Sequence, residues 1–236
     1  RDLHYPLRRQ RQMCIRDSDV TQLGQAIWYD NISRALIDSG ELQALIDAGV
    51  RGVTSNPSIF EKAIAHSADY DEAIQALADS NLSAEQIYES LALADIRQAA
   101  DLLRPIYKRT NGADGYVSLE VSPALAHDTE GTVANARRLF AGLNRPNVMI
   151  KVPATPAGIP AIERLIAEGI NVNVTLIFSL AHYEAVVEAY LAGLEKRAAG
   201  GGDVSQVASV ASFFISRVDV AVDELLAGAG NSSLQG

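Results

Sequence analysis

Lys151 stands in VMIKVPAT (148–155), where an apolar run climbs to a proline and a single charged residue interrupts it. Lysine is rarely buried without a partner. Removing water from an ammonium is costly, so a buried lysine tends toward the neutral amine, and a neutral amine attacks carbonyls. The chemistry on offer is a Schiff base with a ketone or aldehyde. That reaction needs proton carriers: one to expel water from the carbinolamine, and one to deprotonate a substrate hydroxyl if a carbon–carbon bond is broken. The carboxylates placed for such work are Asp30 in AIWYDN and Glu120 in YVSLEV. A plainer reading is an ion pair between Lys151 and Glu120, which leaves Asp30 and the polar groups named below without a role.

A strand–turn–helix rhythm positions these residues. Short apolar strands are expected at 26–31, 52–56, 116–121, 148–153, 172–178 and 206–214, separated by amphipathic helices. Asn56–Pro57 is a good N-cap and first-turn pair, and Ser83 with Gln86 forms a capping box. Alternating strands and helices imply right-handed crossovers and a parallel sheet. With the two-residue strand period, Val117, Leu119 and Val121 share one face and Ser118 and Glu120 the other. Asn173 and Thr175 lie opposite Val172, Val174 and Leu176. Thr54 pairs with Asn56, Asp30 ends the row of Trp28, and Ser212 shares a face with Phe214. Each strand thus carries an apolar row and a second row ending in polar groups. Convergence of such groups at the C-terminal ends of parallel strands is the pattern of an α/β barrel with its catalytic mouth. Several residues have a second reading: Asn56 as a cap, Thr54 as simple strand propensity, Ser212 and Phe214 as core filling, and Arg217, in the first turn after the sixth strand, as a solvated helix residue. Arg217 also suits a phosphate, where a guanidinium fork meets a helix N-terminus.

Composition narrows the classes. The 236 residues carry 48% hydrophobic residues, mean hydropathy +0.05 and net charge -9. The acidic balance argues against nucleic acid or an anionic membrane as partner, and no apolar stretch is long enough to span a bilayer. One cysteine, Cys14, permits no internal disulfide and fits a reducing, cytoplasmic setting. The four histidines are scattered without metal-ligand spacing, so no metal is expected. No GxGxxG or Walker loop points to a nucleotide. Residues 1–18 differ from the rest, with five arginines against two acids and no periodicity. Their end, RQMCIRDS, reads as translated vector or adaptor sequence. The expected domain is 19–236.

The stretches IWYDNISRALIDSGEL, GVRGVTSNPSIFEKAI, GYVSLEVSPALAHDTEGTVANAR, VMIKVPATPAGIPAIERL and INVNVTLIFSLAHYEAV resemble transaldolase in its longer bacterial form, over about residues 22 to 228. The resemblance implies a (β/α)8 barrel working without metal or cofactor in the pentose phosphate pathway. It implies transfer of a dihydroxyacetone unit from sedoheptulose 7-phosphate to glyceraldehyde 3-phosphate, giving erythrose 4-phosphate and fructose 6-phosphate. Lys151 then matches the Schiff-base lysine, Asp30 the acid/base, and Glu120 and Thr175 the residues holding the catalytic water. Thr54, Asn56 and Asn173 match contacts to the dihydroxyacetone part; Ser212, Phe214 and Arg217 match the wall and one phosphate contact.

The chain departs from the pattern at Phe213, where the family has proline, and at Ser216, where it has glycine. Only six of eight strand–helix units are legible, so the expectation is a barrel incomplete at its C-terminus, poorly stable and weakly active alone. A fructose 6-phosphate aldolase shares the fold and lysine, but that group usually replaces the aspartate seen at Asp30. Two further readings are a barrel that has lost catalysis and a piece of a longer protein fused to a phosphoglucose isomerase domain.

Overall fold

The structure, a computed structural model, describes residues 23–230 together with Val20; the segment 1–18 lies outside the described residues. Strands and helices alternate. β1 (Ile27–Tyr29) is followed by α1 (Arg34–Asp38) and α2 (Glu41–Ala48), and β2 (Val50–Thr54) by α3 (Pro57–Ala65), α4 (Asp71–Ala78) and the long α5 (Ala84–Arg109). Then come β3 (Tyr116–Glu120), α6 (Thr129–Leu143), β4 (Val148–Pro153), α7 (Gly158–Glu168), β5 (Val172–Ile177), α8 (Leu180–Ala199), β6 (Ser209–Phe213) and α9 (Ile215–Gly228). The strands are hydrogen-bonded in chain order, β1 to β6, and the β1–β2, β2–β3 and β5–β6 pairs are parallel. Parallel neighbours in consecutive order, each followed by a helical crossover, are the connectivity of an α/β barrel, here carried through six repeats.

The expected punctuation holds. Asn56 is extended and its side-chain oxygen accepts from the Ile59 N–H, with Pro57 opening α3. Both halves of the Ser83/Gln86 capping box are formed. Three details differ from the periodicity. β1 ends at Tyr29, so Asp30 is one residue beyond the strand rather than in its row. β6 ends at Phe213, and Phe214 is the N-cap of α9. Leu176 does not pack with Val172 and Val174: it sits at φ 62° and is 37% exposed. The β5–β6 register slips between Val174 and Ile177, so a bulge breaks the two-residue alternation.

The chain comprises two compact units. The first runs through Glu120 and includes Arg138–Ile150. Ile32, Leu42, Phe60, Ile96, Leu103 and Ile150 are fully buried there, each contributing about 1.5–3 kcal/mol of transfer free energy. Buried Asn147 donates through Nδ2 to the carbonyls of Ala100 and Gly115, both at 2.8 Å, tying α5 to the start of β3. The second unit holds Val121–Arg137 and Lys151 onward. Its core is Ile162, Leu165, Ile166, Val172, Val174 and Ile177. Gly193 lets α8 approach α7: a Cβ there would lie 2.7 Å from the Glu163 carbonyl oxygen and 2.8 Å from Ile166. α9 buries none of its residues and exposes Ile215, Val220, Val222 and Leu225. Among the described residues no helix is long and apolar enough to cross a membrane.

Candidate active site

Lys151 lies in β4, whose six residues are all buried, and is itself 6% exposed. Its carbonyl accepts from the Val121 N–H, and two residues on from Pro153 the Thr155 hydroxyl donates to the Ala126 carbonyl and accepts from the Gly158 N–H. The strand carrying the lysine is therefore fixed at both ends of its exit turn. β5 places Asn173 and Thr175 next in order, each 1% exposed. The Ala154 N–H donates to the Thr175 carbonyl at 2.8 Å. From β6 the Ser212 hydroxyl donates to Asn173 Oδ1 at 3.0 Å. The second unit thus brings together a buried amine's strand, a buried carboxamide and two hydroxyl-bearing residues.

Beyond these strand ends the surface turns aromatic. Phe178, 42% exposed, stacks on Phe214 with centroids 5.2 Å apart and planes 17° from parallel. The Arg217 guanidinium carbon lies 4.3 Å over the Phe214 ring. Arg217 is exposed, in the first turn of α9. Its planar cation is held by the ring face, with donors left for an anion. Sequence reasoning does not single out Phe178; its strand row points to packing, and the bulge at Leu176 is what changes the alternation before it.

The first unit holds the remaining candidates. Asp30 is exposed, just past β1. Glu120 is half-buried at the last position of β3. Asn56 is the cap of α3, so the capping role of that residue is correct as far as its side-chain oxygen goes. Thr54 Oγ1 is buried without a hydrogen-bond partner among the described residues. Leaving a hydroxyl so costs on the order of 1–3 kcal/mol, and a bound polar ligand would satisfy it. Its neighbour Ser55 is buried and donates to the Ser118 carbonyl at 2.7 Å, which ties the end of β2 to β3.

Tyr88, on α5, belongs with this group and escapes sequence reasoning. Its phenol is pushed up to about 12, first by burial and then by the negative charges of Glu120 and Glu61, so it keeps its proton across the neutral range. Its ring packs edge-on to Phe60. The signal is present: Tyr88, Leu91, Ala92, Asp95, Ile96 and Ala99 recur at helical spacing on one stripe of α5. Burial likewise raises the Tyr70 phenol and the Asp95 carboxyl, the latter opposed by hydrogen bonds from Tyr70 and Arg34. Among the described residues no group of three or more His, Cys, Asp or Glu could hold a metal ion.

Six strand–helix repeats in consecutive order, with a buried lysine on the fourth strand, have the connectivity of an α/β barrel. The chain belongs to the transaldolase/fructose-6-phosphate aldolase family, whose model matches residues 27–235. It is 55% identical over 206 residues to transaldolase 2 of Nostoc sp., covering 87% of this chain and 54% of that protein. To the transaldolase of Trichodesmium erythraeum it is 53% identical over 209 residues, 88% of this chain and 55% of the relative. To that of Thiobacillus denitrificans it is 54% identical over 213 residues, 90% and 59%. The chain therefore spans a little over half the length of these relatives.

Proposed function

We propose that this chain carries the Schiff-base centre of a transaldolase, which moves a dihydroxyacetone unit from sedoheptulose 7-phosphate to glyceraldehyde 3-phosphate in the cytoplasm. The observation that carries the reading is the lysine: Lys151 is 6% exposed on a strand with no other charged residue. Lys151 Nζ attacks the donor's C2 carbonyl, and loss of water from the carbinolamine gives the imine. Asp30 supplies the proton for that water and then removes the proton from the C4 hydroxyl. The C3–C4 bond breaks, erythrose 4-phosphate leaves, and the electron pair rests on the enamine nitrogen. The enamine carbon attacks the acceptor aldehyde, the new alkoxide takes the proton back, and hydrolysis of the imine releases fructose 6-phosphate and the amine.

The other roles follow the chemistry of each group. Glu120 and Thr175 hold the water lost and regained at the imine. Thr54, Asn56 and Asn173 bind the hydroxyls of the three-carbon unit, a reading supported by the unpartnered Thr54 hydroxyl and by the Ser212 hydroxyl bracing Asn173. Ser212 and Phe214 form a wall, and Arg217 takes the substrate phosphate at the α9 N-terminus.

The test is borohydride reduction in the presence of fructose 6-phosphate, followed by peptide mass mapping. It is run on the chain and on a version extended by the C-terminal part of the Nostoc relative. A reduced three-carbon adduct on Lys151 is the expected result. A well-folded extended protein with no adduct would overturn the proposal. Release of free dihydroxyacetone in place of transfer would make the enzyme a fructose 6-phosphate aldolase.

A further inference from the structure

We propose that the buried cluster of Asp95, Tyr70 and Arg34 is the positioning device for Asp30; the proposal rests on the acid/base reading of Asp30 given above. The three residues come from three separated parts of the first unit: α5, the turn before α4, and the first position of α1. Asp95 and Tyr70 are fully buried, and the Arg34 side chain is 15% exposed. Asp95 Oδ1 accepts from Arg34 Nε at 3.2 Å and Nη2 at 3.0 Å. Asp95 Oδ2 accepts from the Tyr70 hydroxyl at 2.7 Å. That hydroxyl accepts in turn from the backbone N–H of Arg34 at 3.0 Å. The guanidinium carbon lies 4.5 Å over the Tyr70 ring. The ring of contacts is closed, and it holds Arg34 by both main chain and side chain.

Stability alone does not call for this arrangement. An acid in the apolar stripe of α5 must be desolvated, and well-packed apolar residues in place of a buried ion pair are often as stable or more so. What the polar cluster adds is direction, because each hydrogen bond fixes an angle as well as a distance. The thing directed is the chain just downstream of β1. Asp30 is exposed, and among the described residues its carboxylate has no hydrogen-bond or ion-pair partner. Its orientation is set by its backbone. That backbone is tied upstream by the β1–β2 pairing of Tyr29 with Val53. In the middle, Ile32 is fully buried and Ser33 caps α1 by accepting from the Leu36 N–H. Downstream, four residues from Asp30, the cluster seizes Arg34. A proton carrier works only within hydrogen-bond reach of its target, and a displacement of about 1 Å costs on the order of a hundredfold.

The experiment uses the extended enzyme described above, with Tyr70→Phe, Asp95→Asn, Asp30→Asn and the Asp30→Asn/Tyr70→Phe double variant. Turnover is normalised to the folded fraction read by far-ultraviolet circular dichroism, so that loss of folded protein does not count. Tyr70→Phe is the gentle variant: it keeps the ring and the cation above it while removing the hydroxyl shared by Arg34 and Asp95. It should lower kcat on the order of tenfold or more, leave the donor KM within about twofold, and add little to the loss already caused by Asp30→Asn. If Tyr70→Phe only lowers the melting temperature, with full kcat per folded molecule, the cluster is structural and the proposal fails. An undiminished loss in the Asp30→Asn background also overturns it. Full kcat in Asp30→Asn itself would instead sink the reading of Asp30, a result distinct from failure of the clamp.

Discussion

Gly52 lies directly across the β1–β2 ladder from Trp28, and the Trp28 indole fills the space a side chain at 52 would need. The close approach is to the five- and six-membered ring junction of the indole, a rigid group that cannot swing aside as a flexible side chain would. Gly52→Ala should therefore force Trp28 or β1 to move, at a cost of about 1–3 kcal/mol. Trp28 is the sole tryptophan, so its emission maximum and the thermal midpoint report the change together. An unchanged midpoint and spectrum would show that the ladder is looser than drawn.

Lys151→Met replaces a buried amine-bearing chain with a buried apolar chain of similar length. The far-ultraviolet circular dichroism should be preserved, the borohydride adduct absent, and transfer activity reduced at least about a thousandfold. Retained adduct formation elsewhere in the chain would reassign the nucleophile.

Ser212→Ala removes the donor to Asn173 Oδ1. One hydrogen bond of this kind contributes about 1 kcal/mol, which is about fivefold in affinity. The donor KM should rise by roughly that factor with kcat little changed. A fall in kcat at constant KM would place Ser212 in the chemical step instead of in binding.

Asp101 and Arg145 make a two-pronged pair between α5 and the loop after α6, at 2.6 and 2.9 Å. The hydrogen bond from Arg145 holds the Asp101 carboxyl below its ordinary 3.8. A carboxylate depressed in the folded state adds stability that is present in full above the unfolded value and is lost as pH falls through the folded one. Asp101→Asn should thus lower stability near neutral pH, and the gap should close below about pH 4. Asp101 is half exposed, so screening limits the effect to a few tenths of a kcal/mol. A gap that persists at pH 2 in chemical denaturation would refute this account.

The strand–helix order is legible in the sequence because apolar runs recur along it and capping residues mark several helix starts, as at Asn56–Pro57 and Ser83–Gln86. Lys151 is legible because a charge in an apolar strand has few explanations. What escapes the pattern is set by contacts remote in sequence. Asp95 reads as one more helix acid until Tyr70 and Arg34 are brought to it. Tyr88 reads as core until its stripe is turned toward the end of β3. Phe178 is assigned by alternation, and alternation stops at Leu176. The placing of Asp30 one residue beyond β1 depends on where pairing with β2 ends, which no propensity specifies.

The slip in β5 is local. Between Val174 and Ile177 the strand spends three steps where β6 spends two between Ala211 and Phe213. Loss of one residue at 176 would let the ladder run evenly and would relieve a left-handed leucine, so the hydrogen-bonded frame has no need of that residue. Everything after it would keep its partner: Ile177 already stands opposite Phe213, so Phe178 and the cap Ser179 would hold their facing. The slack in β5 is thus one residue long, taken up at Leu176 and passed on neither to the pairing before it nor to the pairing after it.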